Sequence, residues 1–411
     1  MIITPIEKKN RFQVNRTSSN KTIAGFSLYV HWPFCLSKCP YCDFNSHVSQ
    51  NRIDYSAWRK ALLLELDYFG KKTKGRHLES IFFGGGTPSL MPAETVGKVL
   101  DAIGNYWAVE SSLEVTLEAN PTSVEAKKFS QFREAGVNRV SIGVQSLDQN
   151  SLWFLGRKHS VLEALKAIEI GRKIFDRMSF DMIYARPGQK MEDWAKELNR
   201  ALDYSTEHLS LYQLTIEKGT SFYANERDKL FIMPDDDLAS ELYQITEEIV
   251  RKSGFLPYEI SNYSKPGSES LHNLNYWRGG EYVGIGPGAH GRINLNNVRY
   301  RTQQISSPVN WLSEVLKNGH ATKVSKRLSL AEMVDEILIM GLRLTEGICR
   351  EKFFTLTDRS LETCLRLDKV SVLEKIGLLK LDQHSLRATA AGRLRLNALI
   401  GEIVALNNAY D

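Results

Sequence analysis

Between Gly25 and about residue 216 the chain repeats one unit six times, a short run rich in β-branched and aromatic residues followed by a stretch with helical spacing. The runs are FSLYVHW (26–32), LESIFFGGG (78–86), LEVTLEAN (113–120), NRVSIGVQS (138–146), RMSFDMIYA (177–185) and HLSLYQLTI (208–216). Helical stretches follow the first three at about 55–69, 92–107 and 122–134. Strands separated by helices are joined by right-handed crossovers and so lie parallel. That leaves an α/β fold of one of two kinds, a (β/α) barrel or an open doubly wound sheet. The polar residues favour the barrel. Cys35, Gly84 to Thr87, Glu118, Gln145 and Asp181 fall at or just after the C-terminal ends of successive strands, where barrels gather their chemistry. Six units predict a partial (β/α)6 barrel.

After about residue 217 the alternation loosens, and 255–305 is rich in Gly, Asn, Tyr and Pro, including GGEYVGIGPGAHG (279–291). This segment is expected as strands and loops on the open edge of the barrel, which would then span 25–305. From Ser329 the pattern is helical and ends in LLKLDQHSLRATAAGRLRLNALI, a short hairpin followed by a helix. The expected second unit, 306–411, is a mainly helical, winged-helix-like domain. No DNA binding follows from that outline, because function has to be argued from a site. The net charge of +5 is a small excess spread over 53 basic and 48 acidic residues. There are no clustered basic blocks, so nucleic acid is not expected as a partner. Residues 1–24 are polar and basic and lack the apolar stretch of a secretory signal. They read as a loose tail, with an organellar transit peptide as the weaker option.

Three of the five cysteines lie within eight residues, in HWPFCLSKCPYCDF (31–44). An odd count with such clustering points to metal binding in a reducing, cytoplasmic setting rather than to a disulfide framework. The spacing C-x3-C-x2-C supplies three thiolates. A structural zinc wants four ligands, with His31 or His47 available as the fourth. A closed iron-sulfur cluster also wants four thiolates. Cys349 and Cys364 lie in the helical region and read as small buried hydrophobes. The third option is a 4Fe-4S cluster with one iron left free for a small molecule.

GGGTP (84–88) follows the second strand, where consecutive glycines let the backbone approach a ligand and offer it free N–H and C=O groups. By itself such a run also suits a tight strand-to-helix turn. C-x3-C-x2-C after the first strand together with GGGTP after the second resembles the radical S-adenosylmethionine (SAM) superfamily, over about 25–300. YVHWPFCLSKCPYCDFNSH, GGGTPS, LEANP, GVQS, GRKHS and FDMIY narrow the resemblance. They look like the branch holding oxygen-independent coproporphyrinogen III oxidase and the HemW-type heme chaperone. The resemblance implies that Cys35, Cys39 and Cys42 ligate a 4Fe-4S cluster and that SAM fills the fourth iron position. It also implies that SAM is contacted by Tyr29, Tyr41, Gly85, Gly86, Thr87, Glu118, Gln145, Arg157 and Asp181. Electron transfer into the sulfonium would then give methionine and a 5′-deoxyadenosyl radical, which requires an electron donor for the cluster.

Within that branch the oxidases usually carry another cysteine two residues after the last ligand, and here Phe44 stands in its place. HNLNYW (272–277) matches a heme-binding motif of the chaperones. The resemblance therefore implies heme at His272, Tyr276 and Trp277, and delivery of heme to apo-proteins such as membrane-associated respiratory enzymes. The implied place of work is the cytoplasm or the membrane periphery, and a homodimer is left open. The alternative is radical decarboxylation of coproporphyrinogen propionates. Two departures from the family pattern stand out: Trp32, where relatives have an aliphatic residue, and YARPG (184–188), which puts the charge of Arg186 near the cofactor mouth.

Overall fold

The computed structural model describes residues 25–48 and 53–404, so the tail expected over 1–24 lies outside the described residues. Each of the six runs forms a strand: β1 (Phe26–Trp32), β2 (His77–Gly85), β3 (Ala108–Ala119), β4 (Arg139–Gln145), β5 (Arg177–Tyr184) and β6 (His208–Gln213). They pair in chain order, every neighbouring pair parallel. Alternation sorts their side chains. In β1, Phe26, Leu28, Val30 and Trp32 are fully buried on the helix side, where Trp32 meets Trp58 of helix α1 (Tyr55–Lys72) edge-on at 5.4 Å. Trp32 thus fills the apolar slot of its strand and faces away from the bore. Ser27, Tyr29 and His31 face inward, and Ser27 Oγ meets Ser80 Oγ of β2 at 2.7 Å. Helix starts follow capping chemistry. Asp54 accepts from the N–H groups of Ser56 and Ala57 at the start of α1, and Ser160 with Glu163 forms a capping box on helix Val161–Ile174.

The segment expected on one open edge contributes strands to both sides of the sheet, and one edge strand comes from beyond it. Strands β7 (Leu256–Pro257) and β8 (Asn262–Ser264) extend the sheet beyond β6. On the other side follow β9 (Glu281–Ile285), β10 (His290–Leu295), β11 (Val298–Gln304) and β12 (Thr322–Arg327). The sheet runs β12-β11-β10-β9-β1-β2-β3-β4-β5-β6-β8-β7, and its two ends do not meet. β9 is parallel to β1 and is therefore a seventh barrel strand, which helical alternation could not reveal.

The break expected at 305 moves. Helix α3 (Pro308–Asn318) packs on α1, with Trp311 stacked on Trp58 at 5.1 Å. Buried Glu65 of α1 accepts from Trp311 Nε1 at 3.0 Å, Ala321 N at 2.9 Å and Gly286 N at 2.8 Å. A carboxylate with three buried donors fixes those segments to the barrel. The second apolar core starts only at Val334, so the division falls near residue 328. That unit carries helix α4 (Leu330–Gly341), further helices, and a three-stranded sheet of Ile348–Cys349, Ser385–Ala388 and Leu379–Leu381 in that order. Cys364 is buried in its core as expected, whereas Cys349 is exposed. Among the described residues no helix is long and apolar enough to cross a membrane.

Candidate functional site

The cysteine loop leaves β1 and is tied down at both ends. Phe34–Cys35 pairs with His47–Val48. Asn45 Nδ2 donates to the carbonyls of Pro287 at 2.8 Å and Ser306 at 2.9 Å. The Asn45 carbonyl accepts from His31 Nε2 at 2.9 Å, which leaves His31 Nδ1 to accept from Tyr29 Oη at 2.9 Å. Burial lowers the His31 pKa to about 4, so the imidazole is neutral. With both ring nitrogens used, His31 is a structural strut. His47, the other zinc candidate, is bonded through Nε2 to Asn45 Oδ1 at 3.0 Å. Among the described residues no three Cys, His, Asp or Glu side chains converge as one metal ion requires.

Each thiol has its own polar neighbour. The Thr87 hydroxyl donates to Cys35 Sγ at 3.4 Å, and Arg157 Nη1 donates to Cys39 Sγ at 3.4 Å. Cys42 Sγ lies 3.6 Å from Ser46 Oγ. Burial pushes the Cys35 thiol up, and the Thr87 hydrogen bond works against that shift. The two donors are themselves joined. Asn120 Nδ2 donates to Thr87 Oγ1 at 3.1 Å, while its Oδ1 accepts from Arg157 Nη2 at 2.6 Å. A continuous chain therefore runs Cys35, Thr87, Asn120, Arg157, Cys39. Asn120 was not singled out by sequence, although its place at the end of β3 in LEANP was the available signal.

Gly85 adopts φ +111°, and a Cβ there would lie 2.5 Å from His31 Cε1. A Cβ on Gly86 would meet the Phe34 carbonyl at 2.8 Å. The glycines are thus needed for close approach to the cysteine loop. Their N–H groups are not free, contrary to the sequence expectation. Gly85 N donates to Glu118 Oε2 at 3.2 Å, Gly86 N to the Trp32 carbonyl at 2.6 Å and Thr87 N to the Phe34 carbonyl at 2.9 Å.

Gln145 ends β4 at φ +69°, a strained setting for a residue with a side chain, and its buried Oε1 has no partner. Glu118 lies on the neighbouring strand β3, where it pairs with Ser141 of β4. Burial, with the charge of Asp181 adding, raises its pKa to about 8. Asp181 is the fifth of eight residues in β5, deeper than the strand end where it was expected. It accepts from Ser141 Oγ at 3.3 Å, and burial raises it to about 6. Below them buried Arg139 bonds Ser179 Oγ at 2.9 Å and Thr116 Oγ1 at 3.4 Å. Tyr29 stands in the bore, while Tyr41 packs near Phe222 at 6.4 Å on an apolar lip with Leu155 and Ile183.

HNLNYW lies at the opposite end of the barrel. It forms helix α2 (Leu271–Trp277), whose first N–H groups are held by the Glu114 carboxylate. His272 is buried, its Nδ1 2.9 Å from Ser80 Oγ and its Nε2 2.8 Å from Tyr276 Oη, with its ring stacked on Phe82 at 5.0 Å. Burial lowers its pKa to about 3. Trp277 lies under the Arg343 guanidinium, 4.7 Å from its ring centre. The structure therefore gathers the cysteines with Gly85, Gly86, Thr87, Gln145 and Arg157 at the mouth and the heme-assigned residues at the floor, while Asp181 lies deeper in the bore and the ring of Tyr29 lies 6.4 Å from that of His272.

A family model described as the radical SAM superfamily matches residues 29–201, and one described as the HemN C-terminal domain matches 328–395. The chain is 40% identical to the mouse "Radical S-adenosyl methionine domain-containing protein 1, mitochondrial", covering 91% of this chain and 86% of the relative. The chain belongs to the radical SAM superfamily. It lies in the HemN/HemW branch, being 36% identical to the Escherichia coli "Heme chaperone HemW" over 80% of this chain and 86% of the relative. Its fold matches the solved E. coli coproporphyrinogen III oxidase HemN with a TM-score of 0.76, at 21% identity over 92% of this chain and 89% of that one.

A radical SAM protein implies a 4Fe-4S cluster and SAM, and the mouth fits both. It offers three thiols with separate polar neighbours, an orphaned acceptor at Gln145 Oε1 and two buried carboxyls suited to amino and hydroxyl donors. Arg186 does not face this radical SAM mouth as an open charge. It is buried, and its guanidinium is held by the Glu197 carboxylate and the Ser146 hydroxyl.

Proposed function

We propose that this protein is a heme chaperone that holds a 4Fe-4S cluster, SAM and heme, and passes heme to apo-proteins. Cys35, Cys39 and Cys42 would hold the cluster. Tyr29, Tyr41, Gly85, Gly86, Thr87, Glu118, Gln145, Arg157 and Asp181 would form the SAM site, and His272, Tyr276 and Trp277 the heme site. When bound, the cluster and SAM supply one-electron chemistry at the mouth. Arg157 and Thr87 donate to the sulfurs, Asn120 keeps those donors in register, and Glu118 holds a proton in the bore up to about pH 8.

The placement of His272 carries this reading. Its Nδ1 contacts Ser80, and Gly85 lies five residues further along the same strand. At roughly 3.3 Å per residue that is about 16 Å from floor to mouth. A porphyrin oxidised by this barrel has to reach the mouth, whereas heme iron held through His272 would sit at the floor, with the Tyr29 ring 6.4 Å from the His272 ring on the side of the bore. Phe44, 58% exposed in the loop, also stands where oxidases of this branch carry a further cysteine. Ligation of iron at His272 Nε2 requires Tyr276 Oη to release it.

Anaerobic incubation of the reconstituted protein with coproporphyrinogen III, SAM and a reductant tests the choice. Protoporphyrinogen as product would refute the chaperone reading in favour of the oxidase. Tight heme binding without turnover is the expected result. Recipients are proposed to be heme enzymes of respiratory membranes, reached from a reducing compartment. The mitochondrial label of the mouse relative sets the mitochondrion beside the cytoplasm as a candidate for that compartment.

A further inference from the structure

A cavity of about 100 Å³ lies between the barrel and α4, with Tyr276, Tyr282, Arg299, Met333, Ile337 and Met340 in its wall. The wall is mostly hydrocarbon and thioether, but three charged side chains border it. Glu336 is neutralised by Arg292, whose Nε and Nη2 donate to its carboxylate at 2.7–3.1 Å. Arg299 has no carboxylate of its own. Its Nη2 donates to the carbonyls of Gly279 at 2.8 Å and Gly280 at 3.2 Å, while Nη1 is shut off from solvent without any partner. The other acid in that region, Glu281, is held by Arg76 at 3.1 Å. A surplus buried guanidinium in an apolar chamber selects an amphipathic anion, because a carboxylate satisfies the orphaned donor while the rest of the ligand buries hydrocarbon.

We propose that the chamber seats a propionate arm of heme, with the Arg299 guanidinium, which lines the chamber, turning to bring its enclosed Nη1 onto the carboxylate and Met333, Ile337 and Met340 covering the adjoining apolar edge. The proposal rests on the heme-chaperone reading and adds to it a second anchor outside the HNLNYW helix. The volume supports an arm rather than a whole ring, since pockets for drug-sized ligands start at roughly 300 Å³. Tyr276 connects the two anchors: its ring borders the chamber and its hydroxyl holds His272 Nε2. Occupation of the chamber and release of the iron ligand thus involve the same side chain.

The test is heme titration of the full-length reconstituted protein, followed by Soret absorbance, with free heme and with its dimethyl ester. Arg299→Leu is expected to weaken free heme roughly tenfold or more, the scale of a lost charge-assisted hydrogen bond. It should leave the ester, which has no carboxylate to anchor, bound as by the unaltered protein. Met333→Glu, which puts an internal carboxylate beside Arg299, is expected to give the same selective loss and serves if Arg299→Leu does not fold. Unchanged free-heme affinity in the folded variants, or equal loss for heme and ester, overturns the Arg299 assignment and leaves the chaperone reading standing. Failure of the unaltered protein to bind heme overturns both.

Discussion

Replacing Glu118 with Gln removes an ionisable group from the bore while keeping an oxygen for the Gly85 N–H. The folded protein holds the Glu118 proton up to about pH 8, against an ordinary value of 4.5, because burial and the Asp181 charge oppose ionisation. The sign follows from linkage. The folded state binds this proton more tightly than the unfolded chain, so the stabilisation is fully present below about pH 4.5. It then falls by about 1.4 kcal/mol per pH unit and is gone above about pH 8. Counted in full, the window amounts to at most about 5 kcal/mol, and relaxation of the shared Glu118–Asp181 site brings the expected difference to about 2–4 kcal/mol. Urea unfolding of the cluster-free protein at pH 5.0, 7.0 and 8.5 measures it. The Gln variant should differ little from the parent at the lowest pH and be the more stable of the two at the highest. The same variant should bind SAM more weakly after reconstitution. A stability difference that stays constant with pH, or that shrinks toward alkaline pH, would refute the reasoning.

Three further outcomes are expected. Serine at Cys35, Cys39 or Cys42 should cut iron after anaerobic reconstitution from about four per chain to below about one, whereas serine at Cys349 or Cys364 should leave it unchanged, as iron and sulfide assays will show. Asn120→Ala disconnects Thr87 from Arg157 and should lower SAM affinity roughly tenfold in equilibrium titration without loss of iron. Arg186→Leu leaves Glu197 buried without its cation and should cost about 3–5 kcal/mol in denaturant unfolding, most of it recovered by the double change with Glu197→Leu.

Local patterns made much of this molecule legible. Alternation placed six strands, because a run such as FSLYVHW has to bury one face against helices and turn the other inward. Cysteine spacing and the GGGTP turn located the mouth, since both are short-range devices that fold within one loop. What escaped depends on contacts between distant segments. The seventh barrel strand, Glu281–Ile285, is made parallel only by pairing with β1, some 250 residues earlier. Arg186 looked like a charge at the mouth until Glu197, eleven residues away on the next helix, was seen to hold it. The division near residue 328 is set by Trp311 and Ala321 reaching back to Glu65. Asn120 matters through Thr87 and Arg157, which come from two other loops.

The position of β1 has a kinetic consequence. It is hydrogen-bonded to β2 on one side and β9 on the other, so the strand that launches the thiol loop has no free edge. Amide protons in its middle, such as those of Leu28 and Val30, should exchange only when the whole barrel opens. Beyond Trp32 that double clamp ends, Phe34–Cys35 is held only by His47–Val48, and the backbone from Leu36 to Ser46 should exchange orders of magnitude faster. Insertion of a cluster can therefore proceed by breathing of about ten residues against a foundation that stays shut.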